Sequence, residues 1–439
     1  MDLLKSIFKG DKVIWIIFLC LCLISIIEVF SAASTLTYKS GDHWGPITQH
    51  SIILMVGAVV VVFLHNVPYK WFQVFPVFLY PISLVLLAFV TLMGIITGDR
   101  VNGAARWMTF MGLQFQPSEL AKMAVIIAVS FILSKRQDEE GANPKAFKYI
   151  MILTGLVLVL IAPENLSTAM LLFGVVFMMM FIGRVAAKKL LLLAGGLVLI
   201  VALGVGTVVA IPAKTLHNTP GLHRLETWQN RIKGFFDKDE VPAAKFDIDK
   251  DAQIAHARIA IATSHVVGKG PGNSIQRDFL SQAFSDFIFA IVIEEMGLIG
   301  GIFVVFLYLC LLMRAGRIAQ KCERTFPAFL VMGIALLLVS QAILNMMVAV
   351  GLFPVTGQPL PLVSKGGTST LINCAYIGMI LSVSRYTAHL EEQKEHDAQL
   401  QLQIETNAAD SEAQAAAEPT AQILNSDAKF EDENDINKG

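Results

Sequence analysis

The segment VIWIIFLCLCLISIIEVFSAA, residues 13–33, decides the fold class of this chain. It contains one charged residue, Glu28, and is otherwise almost entirely apolar. A helix rises 1.5 Å per residue, so a run of this length crosses the ~30 Å hydrocarbon core of a bilayer. It is too long for the apolar core of a cleavable signal peptide, so we expect a retained transmembrane helix.

The rest of the chain repeats this pattern. The 439 residues are 55% hydrophobic and 16% charged, with a mean hydropathy of +0.62, whereas about a quarter of a soluble domain is charged. Further apolar stretches lie at 48–66, 71–96, 117–134, 149–163, 168–183, 190–212, 286–312, 327–350 and 367–386. We therefore predict an all-α polytopic membrane protein with about ten transmembrane helices.

Lysine and arginine in the short connections indicate the orientation of these helices. Basic residues are dense before the first helix and in connections such as 135–148, 184–189 and 314–324, and sparse in the alternate ones. Because short cytoplasmic loops carry the excess of positive charge, both termini are predicted to be cytoplasmic. The segment 213–285, between the seventh and eighth helices, is then a large extracytoplasmic loop, since long loops translocate largely regardless of charge.

The composition also predicts that the chain has two parts, and it argues against nucleic-acid binding, a disulfide framework and a zinc site. Residues 1–388 form the membrane domain, and the acidic tail 389–439 is expected to extend the last helix briefly and then to be disordered in the cytoplasm. A net charge of −1 gives no signal for nucleic-acid binding. The five cysteines lie in apolar stretches or beside basic loops, which argues against a disulfide framework and a zinc site.

Several carboxylates lie at membrane depth, where a charge is costly unless it is paired or hydrated. Glu119 and Lys122 are three residues apart on one helix face, so they form either a local ion pair near the membrane interface or the lining of an outward cavity. Glu294 and Glu295 are adjacent and should point in different directions, so we expect at most one of them to face a shared partner. A packing role and a ligand role are both open for that pair.

Asp286 stands where the outer segment meets the eighth apolar stretch. One interpretation is a helix N-cap, a position that favours aspartate. The other is a carboxylate at the boundary between water and an apolar helix, where partial desolvation makes it a better general base.

The stretch GLFPVTGQPLPLVSKGGTSTL, residues 351–371, contains three prolines and four glycines and cannot form a continuous helix. Irregular backbone at this depth must be buried in protein or line an aqueous cavity. Lys365 and Gly366-Gly367 precede a helix start, a position that suits an anion such as phosphate. A re-entrant plug or a simple helix start is the alternative. GKGPGNS, residues 268–274, lacks the GK[ST] of a phosphate loop, so we predict no nucleotide site there.

Three stretches together resemble one known family. They are RWMTFMGLQFQPSELAKMAVI (106–126), KGPGNSIQRDFLSQAFSDFIFAIVIEEMGLIGG (269–301) and the 351–371 stretch. They are similar to the SEDS family of bacterial shape, elongation, division and sporulation proteins, of which FtsW and RodA are the best-known members. The resemblance spans the ten apolar stretches in order. It implies a peptidoglycan glycosyltransferase of the bacterial cytoplasmic membrane that polymerises lipid II on the outer face, with a class B penicillin-binding transpeptidase as partner.

The resemblance also implies part of the site, and the charge that the leaving diphosphate needs suggests the rest. Asp286 corresponds to the essential acidic residue of the family, and we expect it to be the catalytic base. The expected substrate-binding residues are Arg106, Glu119, Lys122, Arg231, Ser364, Lys365, Gly366 and Gly367, with Arg106, Lys122, Arg231 and Lys365 as the diphosphate ligands. Mg²⁺ or Mn²⁺ suits the oxygens of a substrate diphosphate, and no organic cofactor is expected.

The chain departs from the family at two places. Lys365 replaces a frequent tyrosine, so its phosphate role follows from its charge alone. The family's QPDxGT appears as PENLST, residues 163–168, with Asn165 at the aspartate position, so we interpret this segment as structural.

Other functions stay open beside polymerisation. A lipid II flippase would share the cavity, and a non-catalytic scaffold would tolerate loss of Asp286. The acidic tail favours an FtsW-like role in division, whereas PVTGQPLP is closer to RodA-like proteins of elongation. We expect division, with other divisome or elongasome membrane proteins as partners.

Overall fold

A computed structural model describes residues 9–32, 45–96, 108–110, 113–139, 141–211, 229, 252–280 and 284–435. Within these ranges the chain is mostly helical, with eleven α-helices. In order they are α1 (Lys12–Ala32), α2 (Gly45–Asn66), α3 (Phe75–Ile96), α4 (Pro117–Lys135), α5 (Pro144–Ile161), α6 (Leu166–Ile182), α7 (Ala187–Ala210), α8 (Ala252–Ala262), α9 (Ile288–Lys321), α10 (Thr325–Ala349) and α11 (Thr368–Asp435).

Short elements connect some of these helices. β1 (Met108–Phe110) pairs antiparallel with β2 (Leu113–Phe115), ahead of α4. β3 (Gln137–Asp138) pairs antiparallel with β4 (Gly141–Ala142), between α4 and α5. Single 3₁₀ turns lie at Tyr69–Gln73 and Gln276–Asp278.

The predicted membrane spans are present as helices. Eight helices of the described chain are long and apolar enough to cross a membrane, namely α1 to α5, α7, α9 and α10. The shorter apolar helix α6 and the start of α11 occupy the two remaining predicted stretches. The prediction of an all-α polytopic membrane protein is confirmed.

The core of the membrane domain lies around α4 and α10. In the apolar windows of these helices, 78% and 67% of the residues are buried, against 6% for α7. Helix α4 packs against α3, α5, α6 and α10, which cover most of its surface. The start of α4, which carries Glu119 and Lys122, is therefore inside the protein.

Helix α9 is kinked at Gly297, whose φ of 72° and ψ of −175° are open only to glycine in practice. Segment 265–270 runs beside the kink and compensates for the broken helical hydrogen bonds. Its bonds are Lys269 N to Glu294 O (3.0 Å), Gly270 N to Glu295 O (2.8 Å), Leu298 N to His265 O (3.3 Å) and Ile299 N to Val266 O (3.3 Å). The backbones touch so closely that a Cβ on Gly297 would lie 2.3 Å from Val266 O.

The chain divides into two compact units, Met1–Arg385 and Tyr386–Gly439. In the second unit, α11 continues as far as Asp435, and its side chains are exposed up to residue 409 except at 386–388 and 390, which are partly buried or buried. This helix is longer than the brief extension followed by disorder that the sequence predicts. Glutamine, alanine, glutamate and leucine are strong helix formers, which accounts for the difference.

Candidate functional site

The 351–367 loop and α10 together hold residues 284–286, just ahead of α9. Lys365 N donates to Phe284 O at 2.9 Å, and Ser364 Oγ donates to Ser285 O at 2.6 Å. Asn345 Nδ2, from α10, donates to Asp286 O at 2.9 Å. Three successive carbonyls are thus satisfied, so the backbone that carries Asp286 has a fixed position.

The carboxylate of Asp286 lies two residues ahead of α9. Asp286 is partly exposed, and Ser285 Oγ donates a hydrogen bond to Asp286 Oδ1 at 2.9 Å. The N-cap position of α9 belongs to Phe287, which makes no side-chain cap bond. Asp286 therefore does not occupy the capping position that the sequence offered as an alternative.

The loop itself is held in a strained conformation at Leu362. This residue has φ +65°, a left-handed conformation that is unusual for a bulky side chain. The carbonyls on both sides of it are bound by other helices. Tyr308 OH of α9 donates to Pro361 O, and Ser25 Oγ of α1 donates to Val363 O at 2.7 Å. The surrounding helices thus fix the turn that leads to Ser364 and Lys365.

Lys365 brings a positive charge to the start of α11. Its Nζ lies 5.8 Å from the centre of the Phe284 ring, and its partial burial lowers the pKa of the ammonium below its usual value. Gly366 and Gly367 follow it, and Gly367 has φ +54°. The positive end of the helix dipole then begins at Thr368, so ammonium and helix N-terminus lie within three residues. This arrangement suits an anion.

Glu119 and Lys122 form a buried ion pair. Lys122 Nζ lies 2.8 Å from Glu119 Oε1, and the side chains are 0% and 2% exposed. The ammonium also donates to Gln341 Oε1 at 2.8 Å, and Gln341 Nε2 donates to Pro359 O at 3.0 Å. Of the two alternatives from the sequence, the structure has the ion pair, and it reaches the 351–367 loop through Gln341.

A second chain of hydrogen bonds connects this loop to α6. Asn345 Nδ2 donates to Gln358 O at 2.8 Å, and Gln358 Nε2 donates to Thr168 Oγ1 at 2.6 Å. Thr168 N in turn donates to Asn165 Oδ1 at 3.2 Å, so Asn165 is the N-cap of α6. The segment that departs from the family pattern thus has the structural role expected of it.

A small, partly open pocket lies beside Asn165. Helices α3, α4 and α5 and the start of α6 enclose it. Its lining consists of Leu87, Val90, Thr91, Pro117, Ser118, Leu160, Ile161, Glu164 and Asn165.

Glu294 and Glu295 both face the loop that precedes α9, which contradicts the expectation that at most one would. The loop wraps around the end of the first half of α9, so it reaches two successive side chains. Glu294 accepts from Lys269 Nζ (2.6 Å), Ser274 Oγ (2.5 Å), Ile275 N (3.2 Å) and Gln276 N (3.3 Å), and Glu295 accepts from Gly272 N (2.9 Å), Ser274 N (3.2 Å) and Ser31 Oγ. The amides of the GKGPGNS segment thus bind the protein's own carboxylates.

The sequence reasoning missed Gln341, Asn345 and Gln358. Gln341 and Asn345 lie four residues apart on α10 and are 2% and 1% exposed. Polar residues inside an apolar span and on one helix face are a signal that could have found them. Two expected ligands, Arg106 and Arg231, lie outside the described residues.

Mg²⁺ or Mn²⁺ is the metal ion expected with the substrate diphosphate. Across the ranges that the structure describes, no group of three or more His, Cys, Asp or Glu side chains could hold one. Asp286 supplies one carboxylate. A cation bound to it would need further oxygen ligands from another molecule.

Known proteins are similar to this chain in sequence. The family of FtsW, RodA and SpoVE, described as cell cycle proteins, matches residues 11–389. The chain belongs to this family. Among its FtsW members is a probable peptidoglycan glycosyltransferase of Trichlorobacter lovleyi, 32% identical over 377 residues, which are 85% of this chain and 93% of the relative. Another is that of Haemophilus ducreyi, 31% identical over 386 residues, which are 86% and 90%.

Solved structures have the same fold. One chain of a peptidoglycan synthase complex that coordinates polymerization and crosslinking superposes with a TM-score of 0.67 at 24% identity, covering 87% of this chain and 99% of that one. Rod shape determining protein RodA of Thermus thermophilus superposes with a TM-score of 0.58 at 23% identity, covering 86% and 97%.

Proposed function

We propose that this protein is a peptidoglycan glycosyltransferase that polymerises lipid II into glycan strands. The observation that carries the proposal is the position of Asp286 just ahead of α9. Asn345 of α10 binds its carbonyl, and the loop that carries Lys365 binds the carbonyls of the two residues before it. Relatives at about 30% identity are named for this activity. A carboxylate at a partly exposed helix start, on a backbone bonded to the loop that carries Lys365, suits a transfer that needs a base and releases an anion.

The reaction is an inverting glycosyl transfer. The sugar 4-hydroxyl of one lipid-linked unit attacks the anomeric carbon of another, forming a new C–O bond. The C–O bond to the diphosphate breaks, and undecaprenyl diphosphate leaves with the electron pair. Asp286 accepts the hydroxyl proton, and Lys365 with the N-terminus of α11 stabilises the negative charge on the leaving group.

Other expected residues have supporting roles in this proposal. Ser364 holds Ser285 and thereby the neighbouring base, and Gly366-Gly367 let the chain turn into α11. The Glu119–Lys122 pair acts through Gln341 on the loop. Arg106 and Arg231 are further proposed diphosphate ligands. Mg²⁺ or Mn²⁺, when bound to the diphosphate, would supply further neutralisation of its charge, with Asp286 as a carboxylate in reach of the same substrate.

The cellular setting is part of the proposal. The protein is a multi-pass membrane protein, and we place it in the bacterial cytoplasmic membrane with Asp286 on the outer side, because the basic residues gather in the alternate connections. A class B penicillin-binding transpeptidase is the proposed partner, in agreement with the synthase complex that shares the fold. The FtsW names of the relatives favour a role in division.

The test uses the purified protein with its transpeptidase partner and labelled lipid II. Glycan strands should form, and Asp286→Asn should slow their formation by about 10²–10⁴-fold, the usual contribution of a general base. Asp278→Asn is the matched control, because Asp278 lies on the same outer segment with a side chain 54% exposed. Full polymerisation by Asp286→Asn would refute the assignment of the base. Transfer of lipid II across vesicles without glycan formation by the native protein would support a flippase instead.

A further inference from the structure

A buried histidine of α2 is connected to the loop that carries Lys365. His50 is 1% exposed, and its Nε2 lies 2.8 Å from the hydroxyl of Ser25 on α1, which is itself fully buried. The same hydroxyl donates to Val363 O at 2.7 Å, two residues before Lys365. His50 thus reaches the loop through one side chain, and the reaction proposed above does not use it.

The direction of these hydrogen bonds follows from the protons that each group carries. A serine hydroxyl has one proton and two acceptor positions, and Ser25 donates its proton to Val363 O. The hydroxyl must then accept from His50 Nε2, so this nitrogen carries a proton. With the ring proton on Nδ1 alone, Ser25 would have to donate to the ring, and Val363 O would lose its bond. The N–H group of His50 therefore orients the hydroxyl that holds the loop.

The charge of Lys365 keeps the His50 ring neutral. The two residues are close enough for the ammonium to act on the ring, and a second buried positive charge beside the first would cost free energy. A neutral ring still donates from Nε2. Its Nδ1 has no hydrogen-bond partner among the residues that the structure describes, so the bond to Ser25 is the contact through which the ring can act.

Close packing of α2 against α11 fixes the place of His50. A Cβ on Gly57 of α2 would lie 2.5 Å from Cys374 Sγ of α11. Gly378, one turn further along α11, is also in close contact with α2, one to two turns beyond Gly57, so the two helices run in the same direction. His50 precedes Gly57 by as many residues as Gly367 precedes Cys374, and this register places the histidine beside the start of α11.

We propose that His50 is a positioning residue for Lys365. Through Ser25 it holds Val363 O, and with it the left-handed turn at Leu362. Such a turn costs free energy and relaxes when the carbonyl that follows it loses its donor. The ammonium of Lys365 would then leave the start of α11, where the diphosphate is proposed to bind. The inference rests on the proposed glycosyltransferase function and deepens it.

The experiment measures lipid II polymerisation by the purified protein with its transpeptidase partner. His50→Leu keeps a side chain of similar size but removes the N–H donor, whereas His50→Gln keeps an N–H donor at a similar reach. We expect the KM for lipid II to rise about tenfold in His50→Leu and to stay within about twofold of the native value in His50→Gln. The kcat should change by less than about threefold in both, because Asn345 still holds Asp286 O.

A second background and a control separate this role from a general packing role. In Lys365→Met, the addition of His50→Leu should change the KM by less than about twofold, because a residue that acts through another adds nothing once the other is gone. His65→Leu is the matched control, since His65 is also buried on α2 but lies at its other end. The ring of His65 packs edge to face on Trp15, with 5.8 Å between ring centroids. The KM of His65→Leu should equal that of the native protein.

Several results would overturn the inference. An unchanged KM in His50→Leu, or an equal rise in His50→Gln or His65→Leu, would show that the N–H donor of His50 is not what matters. The full rise on top of Lys365→Met would show that His50 does not act through Lys365. If His50→Leu does not fold, Ser25→Ala removes the same bond to Val363 O with a smaller change, and an unchanged KM in that variant would overturn the inference as well. A native protein that forms no glycan would overturn the proposed function and this inference with it, whereas an active native protein whose KM equals that of His50→Leu would overturn the role of His50 alone.

Discussion

The buried ion pair between Glu119 and Lys122 supports a quantitative prediction. At 2.8 Å and an effective dielectric of about 20, the two charges attract with roughly 6 kcal/mol, which offsets the cost of removing both from water. Glu119→Gln leaves a buried ammonium without its counter-ion, and Lys122→Met leaves a buried carboxylate. Each single variant should lose about 3–5 kcal/mol of unfolding free energy.

The double variant separates a structural pair from two independent contributions. With both charges gone, no uncompensated charge is buried, and the new amide can donate to Gln341 in place of the ammonium. We expect the double variant to be within about 2 kcal/mol of the native protein, far from the sum of roughly 6–10 kcal/mol that additivity would give. Reversible unfolding in mixed SDS micelles, followed by tryptophan fluorescence, measures all four proteins.

The control is a variant of an exposed ion pair, and the refuting result is an additive loss of stability in the double variant. Glu392→Gln removes one partner of an exposed pair with the same i, i+3 spacing, His389–Glu392, and should not change stability measurably. Additive losses in the double variant would show that the two buried charges do not compensate each other.

Lipid II polymerisation by the same proteins adds a second readout. Activity retained by the double variant agrees with action through Gln341, whereas loss in every protein without Lys122 would mean direct contact with the diphosphate.

Two more predictions follow from the loop and the kink. Because burial lowers the pKa of Lys365, affinity for the diphosphate should fall as pH rises through that value, and Lys365→Arg, which stays charged, should abolish this alkaline rise in KM. The same pH profile in both proteins would contradict it. Gly297→Ala should lose at least about 2 kcal/mol of unfolding free energy through strain and contact with Val266, while Gly316→Ala, which meets open space, should stay within about 1 kcal/mol.

Part of the site could be predicted from short stretches of sequence. Asp286 lies where the mixed composition of segment 213–285 changes to the apolar composition of the next helix, and this change is visible in the sequence. The prolines and glycines of 351–371 predict that no continuous helix forms there. The spacing of Glu119 and Lys122 predicts their contact, because residues three apart share a helix face. What they do for the site depends on Gln341, which is more than two hundred positions away along the chain.

The orientation of Glu294 and Glu295 shows where local reasoning fails. Adjacent helical residues do point in different directions, but a loop that wraps around a helix end can meet both. The kink at Gly297 makes room for that loop, and its conformation depends on the close approach of segment 265–270.

The sequence by itself determined the helices, their order and the position of the proposed base along the chain. An apolar run long enough to span a bilayer must satisfy its own backbone hydrogen bonds, so each such run forms a helix whatever its neighbours are. Only the tertiary structure decided how the irregular loop and the start of α9 meet. Some of their backbone carbonyls have to be bound from other segments. Asn345 of α10 binds Asp286 O, Ser364 of the loop binds Ser285 O, and Ser25 of α1 binds Val363 O, and only the packing of the helices brings these groups together.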